Sequence, residues 1–422
     1  MTPTQTPFTA TPGQILIIGG GFAGFWAAVA ARRVAGSRAD VTLVAPAPKL
    51  EIRPRLYEAN PETLAVDIKP LLRKVEVGYA RGAAIGLDTT AKTVTLADGE
   101  RLAYDRLVVA TGSRMRRPPV PGADAAFSVD TQAEAVAFDR RLAAIAKDVA
   151  APTIAVVGAG FTGIELALEL RDRLAAHGAA GAAERLRIVL IDRAATIGPE
   201  LGPGPRPEIE AALDAAGVEL RLGATVLALA ADRVTFAEDS ALFADDSVLN
   251  ADAVVLATGM AAAPFAGQVP GARDALGRVV VDAALRAPAA PDVFVAGDAA
   301  AADTGDGHWT LQSCQHAGQL GRVAGENAAR DLLGLALVPY TQLRYLTCLD
   351  LGRSGAVITQ GWERRIEKTG AEGKAVKRLI NTQVIYPPAD GTAEALLAGS
   401  SIDLAARARP IDGPAAASGK AA

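Results

Sequence analysis

Cysteine and histidine are scarce in this 422-residue chain, with two of the first (Cys314, Cys348) and three of the second (His177, His308, His316). No CxxC or HExxH spacing occurs, so no zinc site is expected and no metal of any kind is assigned. Two lone cysteines exclude a disulfide scaffold and point to a reducing compartment. Positive charge is not in excess either. The net charge is −4, so no global basic field draws the chain to nucleic acid. Apolar runs are short, and none reaches the roughly 18 residues that a spanning helix needs. Met1 to Gly13 is rich in Thr and Pro and has no basic n-region, and the run Ile15–Ile18 breaks at once into Gly19-Gly20-Gly21. That is not a signal peptide, so a cytoplasmic location is the expectation. What remains is a globular composition, 50% apolar, 21% charged and with 42 glycines. At about 100–200 residues per domain the length predicts two or three domains.

The glycines are not scattered. Residues 14–30, QILIIGGGFAGFWAAVA, and residues 153–169, TIAVVGAGFTGIELALE, read alike. Each is a β-branched run, then GxGxxG, then an apolar pattern of helical period. Each is followed by a second buried-strand run, Val41–Val44 and Arg187–Ile191. Each later reaches a strand ending in Ala-Thr-Gly, at Ala110, Thr111 and Gly112 in one and at Thr258 and Gly259 in the other. A lone GxGxxG says little, but two with matching context predict two dinucleotide-binding units. In each, the first glycine (Gly19, Gly158) permits the tight turn. The second (Gly21, Gly160) leaves room for a pyrophosphate, and the third (Gly24, Gly163) lets helix and strand pack closely. Phe22 and Ala23 open the first helix, whose N-terminus faces the phosphates in such units. The plainer alternative is that one copy is a relic of the fold and binds nothing.

Residues 291–299, PDVFVAGDA, add a short strand ending at Gly297 and Asp298. An acid just past a strand end accepts hydrogen bonds from ligand hydroxyls, or is simply a turn residue. With this third segment the chain resembles the two-dinucleotide-binding flavoprotein reductases. The resemblance implies an α/β fold of two Rossmann-like, three-layer domains and a small α+β C-terminal domain. It implies non-covalent FAD on the first GxGxxG and Asp298, and NADH on the second. The expected layout is an N-terminal segment over 1–13 and an FAD domain over 14–118 and 254–335. An NAD(P)H domain is inserted over 119–253, followed by the C-terminal domain over 336–388 and an Ala/Gly-rich tail over 389–422.

Disulfide reductases of that superfamily carry a CxxxxC pair after the second strand. Residues 49–60, KLEIRPRLYEAN, contain no cysteine, which excludes a dithiol relay there. The stretch resembles instead the type II NADH:quinone oxidoreductase family, in which it lies along the flavin. That likeness places Pro54, Arg55 and Ala84 on the cofactor. It gives Glu165 a role near nicotinamide and flavin. It likens residues 314–321, CQHAGQLG, to the family's AQxAxQ motif, with Gln315, Ala317 and Gln319 at the quinone end. Residues 339–357 resemble the strand and LGR turn that follow, so the likeness spans about residues 14–360. Duller readings stand beside these. Glu165, in a first helical turn, stabilises the macrodipole anyway. Gln315 and Gln319 share a helix face and would serve as domain bridges. Cys314 and His316 point apart on a helix, so no catalytic dyad is expected, and His308 and Trp309 read as loop packing.

The implied activity is hydride transfer from NADH to FAD, with electrons passed to a quinone. The alternatives are a soluble diaphorase or redox-protein reductase, and an FAD- and NADH-binding redox sensor acting through a protein partner. A homodimer is left open. Two departures matter. The first unit lacks the usual ribose acid, since Val44 is followed by Ala45-Pro46, and backbone groups or Glu51 must substitute. The second keeps Asp192, whose carboxylate favours NADH over NADPH, with Arg193 pulling the other way. Toward the C-terminus, residues 363–378 hold six basic and three acidic side chains, and Leu379–Tyr386 is apolar. That combination suits weak, peripheral membrane contact, although Gly370 and Gly373 are expected to interrupt any helix, and a solvated charged turn serves equally. A helix over Thr392–Arg409 is expected, with a loose end beyond it.

Overall fold

Buried apolar runs separated by helical patterns pair as parallel strands, because a crossover helix follows each. A computed structural model describes residues 13–178, 180–237 and 247–402. In it the strand Gly13–Ile18 lies between Ala39–Ala45 and Arg106–Val109. Gly78–Arg81 extends one side and Ala290–Val295 the other, all parallel. The antiparallel Arg286–Ala287 makes this a six-stranded sheet. The register sets Ile17 beside Leu43 and Val108, all fully buried. A second, five-stranded sheet repeats the scheme in the order Phe127–Ser128, Ala253–Leu256, Thr153–Val157, Arg187–Asp192 and Val218–Leu222, again parallel.

The duplication runs deeper than the glycine motif. Before each Ala-Thr-Gly strand stands a three-stranded antiparallel meander. One is Ala84–Asp88, Thr93–Leu96 and Arg101–Ala103. The other is Val226–Ala230, Arg233–Phe236 and Val248–Asn250. A third such sheet, Leu346–Asp350, Ala356–Gln360 and Arg365–Lys368, carries the helix Gly370–Leu379. The fold is therefore α/β, two Rossmann-like sheets with a small α+β unit at the C-terminal side. The strand Ala253–Leu256 pairs inside the five-stranded sheet. The return to the first sheet thus comes after residue 256, not at 254 as the sequence suggested.

The C-terminal expectation needs correcting too. Gly370 and Gly373 do not interrupt a helix: Gly370 is the first residue of Gly370–Leu379, which continues into a wider turn over Ile380–Val384. A Cβ at Gly373 would collide with the Ala356 carbonyl, so glycine there serves close packing. Of the helix expected over Thr392–Arg409, Ala393–Gly399 is helical, and residues beyond 402 lie outside the described ones. Among the described residues no helix is long and apolar enough to cross a membrane. Glycines also fix the central helix pair. A Cβ at Gly321 or Gly325 would strike the Ala23 or Ala27 carbonyl, so Cys314–Leu332 packs directly on Phe22–Ala35 and brings Gln315 toward the first glycine loop.

Candidate functional site

The two glycine loops have the same geometry for the same reason. Gly19 and Gly158 sit at φ +117° and +110°, where side chains are disfavoured. A Cβ there would hit the Ala110 or Ala257 carbonyl of the neighbouring strand end. Gly24 and Gly163 press on the Gly19 and Gly158 carbonyls, and so act in packing rather than at a surface. Gly21 is different: its Cβ would meet nothing within 4 Å, leaving space before the helix start.

A cleft of about 2840 Å³ passes both loops. Gly19, Gly21, Phe22, Ala23, Ala110, Thr111 and Gly112 line it from the first unit, and Gly158, Gly160, Asp192, Thr258 and Gly259 from the second. Pro54, Glu165, Asp298, Gln315, Ala317 and Gln319 line it as well. Other candidates do not reach it. Arg55 turns to Glu58 and to the Tyr386 hydroxyl, 3.0 Å away. Ala84 lies in the first meander. Gly297, at φ +69°, supports the site from behind, packed against Ala23.

Glu165 is not an exposed helix-turn acid. Its side chain is 3% exposed, and Lys377 Nζ stands 2.7 Å from its Oε1. The Asp350 N–H donates to the same oxygen at 2.9 Å, and Lys377 also donates to the Cys348 carbonyl at 2.8 Å. Burial pushes the Glu165 carboxyl up to about 7, against the pull of Lys377 and the Asp350 amide. Burial alone would lower Lys377, but the Glu165 carboxylate outweighs it and holds the ammonium above its ordinary value. The Lys377 ammonium stands over the Tyr57 ring, 5.6 Å from its centre, and burial raises the Tyr57 phenol well above the usual range. Lys377 and Tyr57 carry no motif. Only the likeness of residues 49–60, which include Tyr57, hints at the second.

Asp298 is partly buried at the cleft wall, desolvation raises its carboxyl, and the Ser113 hydroxyl donates to it at 2.6 Å. Gln315 Oε1 accepts the Leu346 N–H at 3.3 Å, bridging to the third sheet. Gln319 Oε1, the Thr111 hydroxyl and the Tyr57 hydroxyl are buried and unpartnered among the described residues. Buried polar atoms are ordinarily paired, and all three residues line the cleft. A ligand with polar edges fits them, as does the open space before Gly21. A flavin dinucleotide has both features, so the donor set fits that cofactor.

Asp192 holds its loop: its carboxylate accepts the Ala159 and Ala194 N–H groups at 2.7 and 2.8 Å. Glu51 is not idle beside Ala45. It lines the cleft and accepts the Gln132 N–H at 3.0 Å through one oxygen, at the start of a helix. Both cysteines are free and line the cleft. Burial pushes Cys314 up to about 11 and Cys348 up to about 12. His316 points away from Cys314 into a ring stack, 4.9 Å from Tyr345, which stacks in turn on Trp362 at 5.0 Å. His308 caps that stack at 4.6 Å, while Trp309 is half exposed.

Residues 13–321 match the family described as pyridine nucleotide-disulphide oxidoreductase. The chain belongs to that family. A protein of Mycobacterium tuberculosis named NADH dehydrogenase-like is 40% identical over 398 residues, covering 92% of this chain and 98% of its own. A type II NADH:quinone oxidoreductase from the same species is 30% identical over 327 residues, 68% of this chain and 66% of its own. The solved structure of NDH2 from Plasmodium falciparum, in complex with NADH, superposes with a TM-score of 0.73 over 92% of this chain and 98% of that one. At 13% identity that likeness is one of fold. Residues 49–60 of this chain contain no cysteine.

Proposed function

We propose that the chain is an NADH dehydrogenase that delivers electrons to a quinone through one non-covalent FAD. The observation that carries this is that two matching glycine loops and the Glu165–Lys377 pair all face one cleft. Bound FAD would supply the redox chemistry, accepting a hydride and releasing its electrons to an acceptor. The chain's own residues bind and orient. The loop at Gly19–Gly24 and the Asp298 carboxyl hold the flavin nucleotide, with Gly21 leaving room for its pyrophosphate. The loop at Gly158–Gly163 and Asp192 hold NADH in preference to NADPH, because a carboxylate repels a 2′-phosphate. Gln319, with its unpartnered carbonyl, and Gln315 meet the acceptor. Glu165, poised at about 7 beside Lys377, holds or gives a proton near neutral pH, and quinone reduction consumes protons. The flavin half runs over about 14–118 and from beyond 256 to 335, with the nicotinamide half between. A cytoplasmic protein touching the membrane surface suits a lipid-soluble acceptor.

The test is reconstitution with FAD, followed by NADH oxidation with a water-soluble quinone, with NADPH as comparator. A yellow protein with one FAD per chain and rapid quinone-dependent turnover is expected. A protein that takes up no FAD refutes the reading. One that takes up FAD and NADH but turns over quinone very slowly, with a long-lived reduced complex, acts instead as a redox sensor.

A further inference from the structure

The two glycine loops match in backbone and differ in what stands before them. At Gly21 a Cβ would meet nothing within 4 Å, whereas at Gly160 it would stand 2.7 Å from Glu200 Oε1. The same oxygen accepts the N–H of Phe161, first residue of the helix Phe161–Ala176, at 3.0 Å. Glu200 is carried on a short turn, Pro199–Leu201, entered through Gly198 at φ +49°. The Gly198 N–H donates to the Ala159 carbonyl at 3.0 Å, so the turn is tied to the glycine loop itself. A carboxylate on the first amide of a helix uses the same partial positive charge that a phosphate uses. Both Glu200 and Gly160 line the cleft.

We infer that Glu200 stands in for the dinucleotide pyrophosphate at the second loop and must give way when NADH binds, so that it sets nucleotide affinity. This rests on the reading of that loop as the NADH site. Two anions cannot share one helix start without repulsion. Contacts of this exposed kind shift an equilibrium about two- to fivefold. The pyrophosphate is common to NADH, NADPH and ADP-ribose. Glu200 therefore acts on all three alike, and the choice between NADH and NADPH stays with Asp192.

Anaerobic titration calorimetry of the FAD-loaded protein, its flavin first reduced with dithionite so that no hydride can transfer, with NADH, NADPH and ADP-ribose, for wild type, Glu200→Gln and Glu200→Ala, tests this. Glu200 is exposed on its turn, so both variants are expected to fold. Each should bind all three ligands about two- to fivefold more tightly, with the NADH-to-NADPH ratio unchanged and the gain shrinking at high salt. Unchanged or weaker binding of ADP-ribose by both variants, with wild type still binding NADH, overturns the inference and leaves the site reading intact. Failure of every form to bind either NADH or ADP-ribose overturns the site reading and the inference with it.

Discussion

Replacing Lys377 by Met keeps most of the stem and removes the cation 2.7 Å from Glu165. The two side chains are only 6% and 3% exposed. Breaking such a pair typically costs about 3–5 kcal/mol, because the remaining charge is buried alone. Glu165 can lower that cost by taking a proton. With Lys377 present its carboxyl already stands at about 7; without it, burial is opposed only by the Asp350 amide and the value climbs. A carboxyl raised above its ordinary 4.5 in the folded state gives stability that is complete below that value and lost as pH rises through the folded one. In wild type that loss ends near pH 7. In Lys377→Met it continues upward at about 1.4 kcal/mol per pH unit. Each pH unit from 7 up to the variant's own titration point should cost it about 1.4 kcal/mol more than wild type, which is followed to about pH 9. Glu165→Gln/Lys377→Met has no titrating carboxyl and should show none of this extra loss. Denaturant midpoints measured across that range compare the three proteins. If single and double variants follow one pH curve, Glu165 is not the group titrating, and the account of the pair fails.

Asp192→Ser should narrow the preference for NADH over NADPH in kcat/KM; a wild type that already prefers NADPH would mean that Arg193 outweighs Asp192. Replacing Gln315 and Gln319 together by Leu should cut quinone kcat/KM about 10- to 100-fold and leave flavin reduction by NADH, followed by stopped-flow absorbance, nearly unchanged. Equal slowing of both steps would make the glutamines structural. Burial holds His316 down at about 4. A base so lowered gives stability present above its ordinary 6.5 and lost as pH falls toward the folded value, up to about 3 kcal/mol. His316→Phe keeps the ring on Tyr345 and should move acid unfolding to lower pH; an unchanged acid midpoint would show that His316 is not the group being protonated.

What the sequence discloses about this site depends on how local each demand is. The glycine loops are legible because turn, phosphate space and helix contact all fall within six residues of one another. The two parallel sheets follow from the repeated strand–turn–helix pattern. The meanders before Arg106–Val109 and Ala253–Leu256 are not legible, since their short strands bury only alternate residues, as in Thr93–Leu96, and carry no cofactor motif. Lys377 is 212 residues from Glu165, and no spacing rule connects them. Gly373 misleads in the opposite way. Read alone, a glycine in a charged segment argues against a helix, but here it admits the Ala356 carbonyl, and packing on the third sheet outweighs propensity.

The cysteines carry the same contrast into the chemistry. Both face the cleft, the place where a dithiol relay would work, yet the thiolate is the reactive form. With Cys314 at about 11 and Cys348 at about 12, no more than about one part in ten thousand of either is thiolate at neutral pH. Thiol exchange is therefore suppressed even where cysteine is present. Lys377 draws both thiols downward, but its ammonium is held 2.7 Å from the Glu165 carboxyl, and burial prevails at both sulfurs. The groups in that region that change charge near neutral pH are carboxyls, Glu165 and, one helical turn on, Glu169, each raised by burial to about 7. On the proposed reading the cleft is thus built to manage protons beside a flavin rather than to pass electrons through sulfur. An acceptor that takes up protons with its electrons, as a quinone does, suits this arrangement better than a disulfide substrate.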